Sequence, residues 1–184
     1  KDFPSTLFIL DEAYKEFSNV TCEELVLRYN NIIVTRTFSK AFGLAAVRLG
    51  YCLSSEKNIN LMNKFRNPKS INLFAQVAGI AALKDMHYTN NYINEVIEAK
   101  SLFMHEVSRY LSDYIKPING YGNFILFKNL SQKSSEDIVA YFEENKIYIR
   151  NYGHIRNLEN HLRVTIGNLS QTKKLISYFK DCFI

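Results

Sequence analysis

The sequence predicts an α/β fold, a mostly parallel sheet covered by helices, followed by a small α+β domain. Two observations lead there. Over the first hundred residues short apolar runs alternate with stretches of helical periodicity, the pattern of strands and helices in layers. Residues 87–114 then form one amphipathic stretch without proline or glycine, after which strand and helix patterns resume in a smaller set. The expected division is 1–100, the later part of a large domain, and 101–184, a small C-terminal domain.

The elements follow in order. Residues 7–10, Leu-Phe-Ile-Leu, read as a buried strand ending in Asp11-Glu12-Ala13-Tyr14. A short helix is expected over 22–29, a second strand over 31–38 around Ile32-Ile33-Val34, and a third over 48–53. Helices follow over 56–65 and 73–84, the latter rich in alanine, and then comes the long helix of 87–114. Past Pro117 and the turn Asn119-Gly120-Tyr121-Gly122, residues 124–127 read as a strand. Ser134-Ser135-Glu136-Asp137 is a helix start leading into 138–145. Strands over 147–149 and 162–166 and a helix over 170–183 close the chain. No internal repeat or low-complexity segment interrupts it.

Composition narrows the class. A chain of 184 residues with 47% hydrophobic residues can bury a sizeable core as one or two small domains. No apolar run approaches the roughly 18–20 residues of a membrane span, and Lys1-Asp2-Phe3-Pro4 does not open a signal peptide. A soluble, unexported chain is therefore expected, without a membrane partner. Cys22, Cys52 and Cys182 show neither disulfide nor zinc spacing, which fits a reducing cytoplasm. The net charge of +5 is scattered rather than clustered, so nucleic acid is not the expected partner and phosphorylated small molecules are. His87, His105, His154 and His161 show no ligand spacing, so no metal is expected.

Chemistry concentrates in Arg36-Thr37-Phe38-Ser39-Lys40-Ala41-Phe42-Gly43-Leu44-Ala45-Ala46, followed by Val47-Arg48-Leu49-Gly50-Tyr51. One lysine stands just after an apolar strand, hydroxyls flank Phe38, and an arginine follows eight positions on. Lys40 as a free amine can attack an aldehyde; Thr37, Ser39 and Arg48 can hold a phosphate; Asp11 can face a protonated ring nitrogen. Strand C-terminal ends, where Asp11 and Lys40 fall, are where open α/β sheets bind ligands. A phosphorylated pyridine aldehyde needs those contacts.

Asp-x-x-Tyr followed by Thr-x-Ser-Lys-Ala-Phe-Gly-Leu-Ala-x-x-Arg-x-Gly-Tyr resembles the fold-type I pyridoxal-phosphate aminotransferases, and among them most of all the histidinol-phosphate aminotransferase group. The resemblance covers the later part of the large cofactor domain and the whole small domain. It implies pyridoxal 5'-phosphate as cofactor and Lys40 as the Schiff-base nucleophile that later shuttles the proton between substrate Cα and cofactor C4′. It implies Asp11 against the pyridinium nitrogen, Tyr14 donating to the ring's phenolic oxygen, and Thr37, Ser39 and Arg48 on the phosphate. In Leu162-Arg163-Val164-Thr165-Ile166-Gly167 it makes Arg163 the clamp for glutamate's α-carboxylate, a residue that also helps hold the substrate phosphate. Arg150 matches a second phosphate-contacting arginine. Asn123 stands between a ligand contact and a turn role.

The implied reaction converts histidinol phosphate and 2-oxoglutarate to imidazole acetol phosphate and glutamate, a step of amino-acid biosynthesis in two ping-pong halves, carried out by a homodimer with sites at the subunit interface. The family's N-terminal arm, Gly/Ser phosphate turn, stacking aromatic and Asn-Pro loop have no counterpart in residues 1–6, so the resemblance is to a C-terminal half. Two departures matter. Ala46 stands where the family usually has glycine, and Lys69 and Ser70 follow Pro68 where the histidinol-phosphate group has an aromatic and an asparagine. Transamination of another phosphorylated amino-alcohol or of a cell-surface precursor stays open, as do decarboxylation of a phosphorylated amino acid and a silent fragment or interaction module.

Overall fold

The computed structural model describes residues 3–184, which divide into two compact units, one running to Asn91 and the other from Tyr92 to Ile184. The first unit is built on a three-stranded sheet of order β1 (Phe8–Asp11), β2 (Ile32–Thr37), β3 (Gly50–Ser54). Ile32, Ile33 and Val34 are all buried, as a central strand with both faces covered requires. β1 runs parallel to β2, with Asp11 opposite Thr35, and the crossover between them holds two short helices, α1 (Lys15–Ser18) and α2 (Glu23–Arg28).

β3 pairs antiparallel to β2, with Thr37 opposite Gly50, so the parallel character predicted for this sheet belongs to β1 and β2 alone. The reason lies in the connection. Parallel strands need a crossover of a dozen or more residues, usually helical. Residues 38–49 are spent instead on tight turns and a single 3₁₀ turn (Ala45–Val47), closed by Phe38 N–H to Leu49 O and Leu44 N–H to Phe38 O.

Two helices follow, α3 (Glu56–Phe65) and α4 (Leu73–Lys84), with the bounds that periodicity predicted. The Asn72 side chain caps α4 by accepting from Ala75 N–H. The buried face of α4 is made of Ala75 and Gly79, and a Cβ placed on Gly79 would stand 2.5 Å from Leu49 Cδ2. Glycine lets the helix seat closely here, and a larger residue would require the Leu49 side chain to shift. The rest of α4 is apolar but uncovered, with Leu73, Phe74, Val77, Ile80 and Leu83 all exposed.

The long helix is α5 (Met86–Tyr110), and from Tyr92 on it belongs to the second unit. There it lays Val96, Ala99, Phe103 and Val107 at helical spacing into the core. The sheet of this unit has the order β4 (Ile115–Ile118), β5 (Phe124–Asn129), β7 (His161–Thr165), β6 (Arg150–Asn151), antiparallel throughout. α6 (Ser135–Glu144) is capped by Ser134, and α7 (Leu169–Phe183) by a reciprocal box between Asn168 and Gln171. Phe179 of α7 is the hub, with the rings of Phe103, Phe127 and Phe142 centred 5.0, 5.4 and 4.8 Å away.

Three details depart from the sequence expectation. β4 forms despite Pro117, because an edge strand turns alternate N–H groups away from its neighbour. The strand expected at 147–149 starts only at Arg150. Lys146 is left-handed (φ 61°) and Ile147 N–H returns to Phe142 O to close α6, so pairing is delayed. The long helix stops at Tyr110 rather than reaching 114, because Tyr114 and Ile115 turn back onto Leu111 O.

Candidate active site

Two strand ends build the site in the first unit. Asp11 is the last residue of β1 and Thr37 the last of β2, and Ser39 and Lys40 follow directly. Because the two strands are parallel, both ends open at the same edge of the sheet. Asp11, Thr37, Ser39, Lys40 and Arg48 line one cavity of about 290 Å³, near the small end of ligand pockets. Five of the residues singled out in the sequence thus converge. The sixth, Tyr14, starts α1, and its ring centroid lies 5.4 Å from Lys40 Nζ.

Each side chain has a defined local state. The Asp11 carboxylate is exposed, and its Oδ1 accepts from Ala13 N–H at 3.0 Å, the cap bond that an aspartate after a strand ordinarily makes. Among the described residues its second oxygen accepts no hydrogen bond and Lys40 forms no ion pair, so carboxylate and amine both face the cavity ready for a ligand. Thr37 Oγ1 accepts from Ser39 N–H at 3.0 Å and donates to Leu49 O at 3.4 Å, which fixes the turn into Lys40. The Ser39 hydroxyl has no partner within the described residues. Arg48 is exposed, left-handed (φ 56°), and bonded by Nη1 to Ala45 O at 3.3 Å.

An amine, a carboxylate, an unengaged hydroxyl and a guanidinium around one small cavity match the polar ends of a phosphorylated pyridine aldehyde. Ser39 and Arg48 suit its phosphate, Lys40 its aldehyde carbon and Asp11 its ring nitrogen. The residues present fit that group.

Sequence reasoning assigned no role to Glu12 and Arg36. Arg36 donates from Nε and Nη2 to Glu12 Oε2 at 3.0 and 2.9 Å, and from Nη2 to Thr21 Oγ1 at 2.7 Å and Glu23 Oε2 at 2.6 Å. Burial raises the Glu12 carboxyl, but the Cys22 N–H bond and the bonds from Arg36 and Thr21 outweigh it and hold the group below its ordinary value. Burial likewise opposes the Arg36 cation, and its bonds to Glu23 and Glu12 more than compensate. The signal was available in the sequence. Strand alternation puts Arg36 on the sheet face opposite Thr35 and Thr37, and the preceding strand ends in an acid of its own.

In the second unit, Arg150 and Arg163 stand directly opposite each other across β6 and β7. The Arg163 guanidinium lies 5.1 Å from the Phe124 ring centroid and 5.6 Å from that of Tyr152, and neither arginine forms an ion pair among the described residues. Two adjacent cations without a carboxylate are suited to a dianion. The Asn123 backbone carbonyl accepts from Ile166 N–H at 2.9 Å, which gives Asn123 a place at the strand start.

The family described as aminotransferase class I and II matches residues 4–179. The chain is 39% identical to a dihydroxyacetone phosphate transaminase of Campylobacter jejuni, over 91% of this chain and 45% of that protein. It is 32% identical to histidinol-phosphate aminotransferase 1 of Carboxydothermus hydrogenoformans, over 92% of this chain and 47% of that protein. Among solved structures, a histidinol-phosphate aminotransferase of Sinorhizobium meliloti in complex with pyridoxal-5'-phosphate superposes with a TM-score of 0.82 at 27% identity, covering 97% of this chain and 49% of that one. The enzyme of that name from Clostridium acetobutylicum gives 0.86 at 24% identity, over 96% and 54%, and shows the same fold. The chain spans about half the length of the curated relatives it matches.

Proposed function

We propose a function from one premise: the chain belongs to the class I and II aminotransferase family. It supplies the lysine-bearing part of a pyridoxal 5'-phosphate-dependent aminotransferase that moves an amino group between glutamate and a small phosphate ester. The observation that carries this reading is the convergence of Lys40, Asp11, Ser39 and Arg48 on one cavity. When bound, the cofactor supplies an electron sink for charge developing at the substrate Cα. Lys40 holds the cofactor's aldehyde carbon and, once released, is the base that takes the Cα proton. Asp11 keeps the ring nitrogen protonated, which sustains that sink. Tyr14 donates to the ring's phenolic oxygen. Arg48 and Ser39 anchor the phosphate, and Thr37 holds the turn between them.

Arg163 and Arg150 take the anionic groups of the substrates, the phosphate of the ester and the carboxylates of glutamate and 2-oxoglutarate. The printed names of the relatives share a phosphate and differ in what carries it. Lys69 and Ser70, in place of an aromatic and an asparagine, favour a compact phosphorylated ketone such as dihydroxyacetone phosphate over an imidazole-bearing one. The uncovered apolar residues of α4 support a homodimer. The three free cysteines suit a cytoplasmic setting. Among the described residues no helix is long and apolar enough to cross a membrane.

The test uses the native gene product that carries these residues. Visible absorption after addition of pyridoxal phosphate, then borohydride reduction and peptide mapping, is expected to label Lys40. Glutamate as donor is expected to aminate dihydroxyacetone phosphate with a higher kcat/KM than imidazole acetol phosphate. No label on Lys40 overturns the cofactor reading; preference for the imidazole compound reverses the substrate reading alone.

A further inference from the structure

Glu12 and Arg36 each stand one residue from a proposed cofactor contact, Glu12 after Asp11 and Arg36 before Thr37. Their side chains are only 9% and 8% exposed, which for an ion pair demands well-made partners. The partners are present. Cys22 N–H donates to Glu12 Oε1 at 2.5 Å, and Thr21 Oγ1 shares its proton between the two Glu12 oxygens at 3.1 and 3.0 Å. Arg36 adds its four bonds to Glu12, Thr21 and Glu23.

The location gives this network its consequence. The last backbone bond between the strands is Glu12 N–H to Thr35 O at 2.9 Å. Beyond it the chains diverge, one into α1 and the other into the Phe38 turn, and the sheet ladder stops holding them together. Asp11 and the 37–40 segment sit at that point of divergence. The Glu12–Arg36 pair joins the same two chains there, and Glu23 and Thr21 hold Arg36 from the start of α2. A guanidinium presents its donors in a rigid planar fork, whereas an ammonium is a compact charge with freely rotating donors on a flexible stem.

The geometry points to Glu12 and Arg36 as positioning residues that set the spacing between the Asp11 carboxylate and the 37–40 segment, and thereby the orientation of a phosphorylated pyridine held between them. This rests on the function proposed above. Arg36 borders the same cavity, but its guanidinium is taken up by Glu12, Thr21 and Glu23. The pair acts through the residues on either side of it.

The experiment compares the native gene product with its Arg36→Met, Glu12→Gln and Arg36→Lys variants, each loaded with pyridoxal 5'-phosphate. The readouts are the cofactor dissociation constant and the visible circular dichroism per bound cofactor, which reports ring orientation and which a purely structural role leaves unchanged in a folded protein. Far-ultraviolet dichroism and urea midpoints establish folding. Arg36→Met and Glu12→Gln are expected to keep a reducible link to Lys40, to bind the cofactor at least about ten-fold more weakly and to lose about half or more of the visible signal. Arg36→Lys, which keeps the charge without the fork, is expected to fall between them and the parent. Folded variants that match the parent in both affinity and signal overturn the inference. If Arg36→Met does not fold, Glu12→Gln decides by the same criteria, and then Arg36→Lys. A parent that places no cofactor on Lys40 removes the proposed function and this inference with it. A labelled parent with unaltered variants removes the inference alone.

Discussion

The two units solve the burial problem in different ways. From Tyr92 on, the chain closes its own core: Phe103, Phe127, Phe142 and Phe179 are fully buried, and helices cover the sheet face that holds Leu162 and Val164. The first unit buries its central strand and a few other residues, among them Phe17, Phe38, Ala41 and Ala75, and leaves much of β1 and α4 open. Ile9 of β1 is 64% exposed and Phe74 of α4 is 85% exposed. Yet that less complete unit carries Lys40, Asp11 and Arg48. One part of the molecule places its apolar residues in internal packing, and the other, which carries the proposed cofactor contacts, leaves more of them on its surfaces.

The largest effect expected from this contrast is at Lys40. Lys40→Ala is expected to cut transamination by about 10³-fold or more and to abolish borohydride trapping, with the urea midpoint unchanged. A surviving rate near that of the parent would move the chemistry out of the first unit. Next comes Phe179→Ala. Removing the hub ring from a closed core is expected to cost about 3–5 kcal/mol in urea unfolding while leaving cofactor uptake at Lys40 intact. Loss of uptake in a folded variant would break the separation between packing and chemistry. Arg163→Lys keeps the cation but loses the planar fork between the Phe124 and Tyr152 rings. It is expected to raise KM for the phosphorylated substrate about ten-fold with a smaller change in kcat.

The smallest effect is an acid limb of stability. Glu12 is held below its ordinary carboxyl value in the folded chain, so its contribution is complete above the unfolded value of about 4.5 and is lost as pH falls through the lower folded value. Urea midpoints measured from pH 6 down to pH 3 are expected to fall, and more shallowly in Glu12→Gln. Equal slopes would show that Glu12 does not link the first unit to pH.

How much of this was legible in the sequence depended on the physics that wrote it. Helices α3 and α4 were readable to the residue because apolar periodicity is a local signal. The pairing direction of β3 was not, since it follows from how residues 38–49 turn, and of the two left-handed residues there, Gly43 and Arg48, only the glycine leaves a compositional mark. β4 was hidden by Pro117, whose cost vanishes only at an edge that sequence cannot identify. Asp11, Thr37, Ser39, Lys40 and Arg48 of the Lys40 cavity were legible because their order along the chain carries a motif, whereas Ala13, Thr35 and Arg36, which also line it, carried no such mark. Strand alternation sets Arg36 apart from Thr35 and Thr37, but its tie to Glu12 went unassigned because Glu12 lies just past the end of β1 and because Thr21 and Glu23 arrive from the start of another helix.

Position 48 is where the demands of backbone and ligand separate. A left-handed φ of 56° is a conformation that glycine adopts freely and arginine at a cost of about 1 kcal/mol. The one bond this side chain makes reaches only three residues back, to Ala45. Folding alone therefore gives no reason to keep a guanidinium there. If Arg48 holds a phosphate as proposed, replacing it with glycine is expected to relieve the turn and weaken cofactor binding together, so that stability and anion grip move in opposite directions.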